Sequence, residues 1–144
     1  FKGFIDRLDS FEDGQVRVVD YKTGKVLEND ENIDDANAED IAESIFDPQT
    51  KERPKIALQF YIYDLLVEEH PLVRGRKLYN CVYSPSRLFK EQPLTVPRNE
   101  IFFNAMSRHL ERTLDQMYSL DVPFRRTRDE KVCEYCDFKM ICGR

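Results

Sequence analysis

The stretch whose reading decides the fold is "VRVVDYKTGK", residues 16–25. Val16, Val18 and Val19 give its first half the pattern of a strand ready for burial. Asp20 and Lys22 then interrupt it, two residues apart, just before Thr23 and Gly24. Side chains two apart on a strand share a face. The acid and the base therefore point together. Tyr21 points the other way, where a core position is expected. A lone D-x-K of this kind is most simply an ion pair at a sheet end. Its neighbours argue for more.

Just upstream, residues 3–11 ("GFIDRLDSF") alternate well enough to be a second strand, with Glu12-Asp13-Gly14 between the two. A three-residue hairpin loop, with Gly14 in the left-handed position, pairs Phe11 with Gln15 and Asp6 with Asp20. A two-residue Asp-Gly turn would pair Arg7 with Asp20 and send Asp6 to the other face. The three-residue loop is the expected one. Two carboxylates and an ammonium then converge at one sheet edge. Close carboxylates repel, and one stays protonated unless a cation sits between them. A hard divalent ion answers this: Mg²⁺ takes one or two carboxylates, keeps several waters and binds phosphate oxygens. Water on such a metal becomes a nucleophile near neutral pH. Lys22 would orient that water or balance charge on a phosphate. Asp9 lies on the opposite face from Asp6 and is expected to pair with Arg7 or a later arginine.

The chain has 144 residues, enough for one domain with one sizeable core. Its net charge of −5 argues against a generally basic nucleic-acid binder but leaves room for a local basic groove. The charge is uneven. Residues 28–47 are strongly acidic, whereas residues 72–90 carry Arg74, Arg76, Lys77, Arg87 and Lys90. No apolar run approaches the ~20 residues of a membrane helix. "FKGFIDRLDS" reads as a strand rather than a signal peptide, so a cytoplasmic location is expected. It also reads as sequence from the middle of a domain, which makes a piece of a larger protein the expectation.

Downstream, a short helix is expected at Ala38–Phe46, capped by Asp34 or Asn37. "PKIALQFYIYDLLVEEHP" reads as a helix opened by Pro54 and closed before Pro71, apolar nearly all round and hence buried. Gln59 and Tyr63 are four apart and share a face of it. A buried amide needs partners, which a functional site or the backbone would supply. "KLYNCVYSPS" is a third strand, and "PLTVP" a short edge segment. Asn99 is placed to cap a helix over roughly 100–119, with Phe102, Met106, Leu110 and Met117 as its apolar stripe. The tail carries C-x₂-C-x₅-C at Cys133, Cys136 and Cys142, which suits a metal better than a disulfide framework.

"GFIDRLD", "VVDYKTGK" and "QFYIY", in this order, resemble the PD-(D/E)XK nuclease superfamily, and within it the RecB-type nuclease domains, including the iron–sulfur exonucleases. The resemblance covers residues 3–25, 55–67 and 133–144. Residues 26–54 match no part of the pattern and read as an acidic insertion. The resemblance implies a restriction-endonuclease-like α/β fold, a mixed central sheet flanked by helices on both faces. It implies a single nuclease domain over residues 1–144 that lacks its N-terminal part, with a cysteine-bearing tail at 131–144.

For the site, the resemblance assigns Asp6 and Asp20 to a Mg²⁺ or Mn²⁺ ion and Lys22 to catalysis beside it. Gln59 and Tyr63 match the Q-x-x-x-Y motif, which would line the site and touch DNA or the lysine. On charge alone, Lys22 and Lys25, with Arg125, Arg126 and Arg128, would meet phosphates, and the acidic segment would lie away from that groove; Thr23 would bond a phosphate or make the turn with Gly24. Cys133, Cys136 and Cys142 would be three ligands of a [4Fe–4S] cluster whose fourth ligand precedes Phe1. Zinc, with His70 or His109, is the rival. Cys81 reads as a small buried hydrophobe. The implied function is a Mg²⁺- or Mn²⁺-dependent DNA nuclease, an exonuclease that processes ends in repair or recombination beside a helicase. The alternatives are a non-catalytic DNA-binding or scaffold domain that retains the fold, and a nuclease directed at RNA.

Overall fold

Alternation and a tight turn build the first two strands, β1 (Arg7–Glu12) and β2 (Gln15–Tyr21). The computed structural model describes residues 2–85, 87, 92–127 and 130–143. Strands β1 and β2 pair antiparallel, with Arg7 opposite Val19 and Leu8 opposite Val18. This is the expected register as far as Arg7; Asp6 lies just before β1. The turn itself is tighter than expected. Glu12, not Phe11, pairs with Gln15, and an irregularity between Ser10 and Glu12 absorbs the extra residue. Gly14 takes φ +69°, a conformation that a side chain at that position would strain.

Helices α1 (Ala38–Phe46) and α2 (Lys55–Val67) follow, then strand β3 (Lys77–Tyr83), strand β4 (Thr95–Pro97) and helix α3 (Glu100–Tyr118). The sheet runs β1-β2-β3-β4 and is mixed: β2 and β3 are parallel, the outer pairs antiparallel. Parallel neighbours need a crossover connection, which α1 and α2 supply. The architecture is the α/β one expected.

The chain divides into two compact units, Phe1–Leu110 and Glu111–Arg144. The first holds the sheet and two core clusters that meet at α2. On one side Ile56, Phe60, Tyr63 and Val67 of α2 pack with Val16, Val18, Leu78 and Val82 of the sheet. On the other, Ala57 and Tyr61 pack with α1 and with Phe102, Phe103 and Met106 of α3. The helix is not buried all round, since Leu65 and Leu66 reach solvent. The segment expected to be an acidic insertion is built into this core. Ala38, Ile41, Ala42 and Ile45 are buried there, while Glu39 pairs outward with Arg108.

The opposite face of the sheet departs from the expectation of helices on both sides. Its Val19 and Cys81 are buried but join neither helix-bearing cluster. Among the described residues an arginine–aromatic layer covers it. Arg7 lies over the rings of Tyr21 and Tyr83, and Arg17 over Phe11 at 4.9 Å. Tyr21 is therefore not a core residue; it is 48% exposed. Asp9 behaves as expected on this face, paired with Arg17 and Arg7, and both arginines hold its carboxyl below the usual range.

In the second unit, α3 ends, a 3₁₀ turn spans Glu130–Cys133, and Met117 is exposed rather than part of an apolar stripe. Phe124, Tyr135, Phe138 and Ile141 are exposed as well.

Helix α2 cannot cap itself, because Pro54 precedes it and offers no side-chain acceptor. Asp30 does this from 26 residues upstream. Its buried Oδ1 accepts the Ile56 and Ala57 N–H groups at 2.8 and 3.1 Å, and Oδ2 accepts the Leu27 N–H. The carboxylate also faces the positive end of the helix dipole. Asp30→Ala will lower stability by about 2 kcal/mol in urea denaturation. A change within ~0.5 kcal/mol would remove the capping role.

Lower on α2, Asp64 is 3% exposed. Asn80 Nδ2 donates to its Oδ2 at 3.1 Å, and Oδ1 has no hydrogen-bond partner among the described residues. Desolvation pushes its pKa up to about 7; Asn80 and Arg98 pull the other way, while Glu100 and Glu68 add to the rise. The unfolded chain ionises from about 3.8, so between these values it binds fewer protons than the folded one. Stability therefore falls as pH rises through this window and levels off above about 7, a penalty of roughly 4 kcal/mol when complete. Asp64→Asn removes it. Denaturation midpoints at pH 4 and pH 8 will show the variant gaining on the wild type by up to that amount; parallel pH profiles would refute the assignment.

Candidate active site

Strand β2 carries Asp20 on the face that α2 covers, beside Val16 and Val18 and opposite Val82 of β3. The carboxylate is 2% exposed. An ionised group this deep needs partners, because desolvation costs several kcal/mol. Two side chains supply them. Lys22, two residues on, sets its ammonium 2.8 Å from Oδ2. Gln59 of α2 donates from Nε2 to Oδ1 at 2.8 Å. Among the described residues Oδ2 makes an ion pair but no well-directed hydrogen bond.

Gln59 joins the whole group. Its Oε1 accepts from Lys22 Nζ at 2.7 Å. Its amide nitrogen donates to Asp20 and, with the second hydrogen, to the Tyr63 hydroxyl oxygen. Both donors and the carbonyl are thus engaged. The reversed amide would face an ammonium with an N–H and a carboxylate with a carbonyl, so the orientation follows from the partners. Tyr63 is one turn along the same helix face. The backbone holds the rim: Lys22 N–H continues the β2–β3 ladder to the Tyr83 carbonyl at 2.9 Å.

Asp6 sits one residue before β1, beside this group. Its Oδ2 accepts the Tyr21 N–H at 2.9 Å, leaving Oδ1 without a hydrogen bond among the described residues. Thr23 and Lys25 lie in the exposed bend after β2, and Lys25 pairs with Glu52 at 2.8 Å. Arg125 and Arg126 are exposed in the second unit, with Arg126 bonded to the Cys142 carbonyl; Arg128 lies outside the described residues.

The donor set suits a hard divalent cation. A buried Asp20 oxygen has unfilled acceptor capacity, and Asp6, whose Oδ2 takes the N–H of the next residue, Tyr21, leaves a second carboxylate oxygen open among the described residues. The cysteines are different. All four are thiols, and among the described residues no group of three or more His, Cys, Asp or Glu is gathered around a metal-sized position. His70 accepts the Leu72 N–H, and the His109 ring stacks on Phe46.

The sequence model of the PD-(D/E)XK nuclease superfamily matches residues 1–143. The chain belongs to the PD-(D/E)XK nuclease superfamily. No curated protein and no solved structure matches it. Membership implies a metal-dependent nuclease, with nucleic acid as substrate. No helix among the described residues is long and apolar enough to cross a membrane.

Asp30 and Asp64, which shape α2 in this superfamily member, carried no signal in the local sequence. The partners of Asp30 lie 26 residues away, and Asp64 sits in an otherwise apolar run where a surface position was equally consistent.

Gln59→Leu leaves Asp20 Oδ1 without its donor and releases Lys22 and Tyr63. The variant will lose about 2 kcal/mol of stability in urea. A loss below ~0.5 kcal/mol would mean that solvent reaches Asp20 unaided.

Proposed function

We propose that this chain is a RecB-type member of the superfamily and hydrolyses DNA phosphodiester bonds as an exonuclease, in end processing coupled to a helicase. The observation that carries the catalytic part is the closed Asp20–Lys22–Gln59 group beside Asp6. The order of the motifs and the cysteine-bearing tail support the branch. In this reading Asp6 and Asp20 hold Mg²⁺ or Mn²⁺, and the bound ion supplies Lewis acidity at the phosphate and a more acidic water.

The rest is the work of the chain's own side chains. Lys22, at the rim of the site and 28% exposed, presents its ammonium to a phosphate oxygen that gains charge during the reaction. Gln59 sets the position of that ammonium and holds Asp20 in one rotamer. Tyr63 keeps its hydroxyl hydrogen available while accepting from Gln59. Thr23 and Lys25 flank the exposed side and steer the strand, an interaction that weakens with salt. The C-x₂-C-x₅-C tail is carried as three ligands of a [4Fe–4S] cluster, with zinc as the alternative, and no catalytic step depends on it.

The test is cleavage of end-labelled single- and double-stranded DNA in Mg²⁺ or Mn²⁺, comparing the wild type with Lys22→Ala. The variant will cleave roughly 10²–10⁴-fold more slowly. Cleavage at the wild-type rate in the variant would remove the assignment. Products shortened from one end would support the exonuclease, and internal cuts would replace it with an endonuclease.

A further inference from the structure

The Lys22 ammonium occupies the Asp20 oxygen that has no other partner among the described residues. It is held there from a second side by Gln59 Oε1 at 2.7 Å. A cation taken up by Asp20 Oδ2 must therefore displace another cation first. We propose that Lys22 is the competitor that gates metal loading: it neutralises Asp20 in the metal-free chain and must leave Oδ2 before a divalent ion enters. The proposal rests on the nuclease reading of this site.

Burial assigns which of the two partners moves. Asp20 is 2% exposed and lies near the end of the interior strand β2, paired with Val82 of β3. Lys22 lies just past the end of β2, half-buried, on a long side chain with several rotatable bonds. The ammonium can swing outward to solvent or to a phosphate without disturbing the ladder, whereas Asp20 cannot move without unpacking α2. Gln59 remains on Asp20 Oδ1 throughout, so the carboxylate keeps one partner during the exchange.

The consequence is a coupling between metal and substrate. A phosphate that draws Lys22 away vacates Oδ2, so metal binds more tightly when a phosphate backbone is present. By linkage the reverse holds equally. The metal then loads preferentially on the chain that already carries nucleic acid.

The test measures Mn²⁺ affinity by calorimetry, without DNA, for the wild type and for Lys22→Met, Lys22→Arg and Lys25→Met. Lys22→Met removes the competitor and will bind Mn²⁺ about tenfold more tightly. Lys22→Arg keeps a cation on Asp20 and will bind no better than the wild type. Lys25→Met removes a nearby charge that pairs with Glu52 rather than Asp20, and will change affinity less than ~2-fold.

Equal affinity in the wild type and Lys22→Met overturns the proposal and leaves the nuclease reading standing. Equal tightening in Lys22→Met and Lys25→Met also overturns it, because a diffuse field would then explain the change. So does a tighter Lys22→Arg, which remains informative if Lys22→Met fails to fold. No Mn²⁺ binding by any of the four removes the metal reading itself, and the gate with it.

Discussion

A buried carboxylate near the end of an interior strand is the constraint on which the rest of this structure depends. Asp20 lies on β2, between β1 and β3, with apolar neighbours along its face. Ionised and alone there, it would cost several kcal/mol. Its own strand supplies one partner, Lys22. The other, Gln59, comes from 39 residues further along the chain. Helix α2 must therefore lie at one height and one rotation over the sheet, with residue 59 above residue 20. Apolar packing alone would tolerate several rotations of a helix this uniformly hydrophobic. The amide removes that freedom.

The same helix shows why the type of polar group matters. Gln59 offers two donors and an acceptor, and all meet partners. Asp64, five residues on, faces the same sheet but among the described residues meets a single donor, from Asn80, and keeps Oδ1 unpaired. The amide is neutral and stabilises its neighbour. The acid is desolvated and holds its proton up to about pH 7. At the N-terminus of α2, Asp30 reverses the balance again, because three backbone N–H groups donate to its two oxygens. Three polar side chains thus set the start, rotation and packing of one apolar helix.

Local pattern made much of this legible. The alternation of Val16 to Tyr21 and the Glu12-Asp13-Gly14 loop gave the hairpin register that sets Arg7 opposite Val19, although the turn closes one pair tighter. The four-residue spacing of Gln59 and Tyr63 placed both on the face that meets Lys22. What stayed hidden was nonlocal. The acidic run from residue 28 looked detachable because its charges dominate its composition. Its alanines and isoleucines, spaced for a helix face, are what bury it against α2 and α3. Tyr21 alternates correctly away from Asp20, but its face is covered by Arg7 and Tyr83 and stays half open. Pattern gives the face of a residue; it does not give what covers that face.

The two members of D-x-K differ most in burial, and this difference carries chemical meaning. Two residues along a strand advance about 6.5 Å, enough here to pass from a closed sheet interior to the rim. The acid is fixed by packing on every side, and the base is fixed only by what it bonds. A structural ion pair gains nothing from such an asymmetry, because both partners are better held when both are packed. An exchangeable pair requires it: one charge must stay in place while the other leaves and returns. The glutamine that binds both charges then acts on each differently. To Asp20 it is a permanent partner that keeps the carboxylate aligned. To Lys22 it is one acceptor among those that solvent or a phosphate would offer.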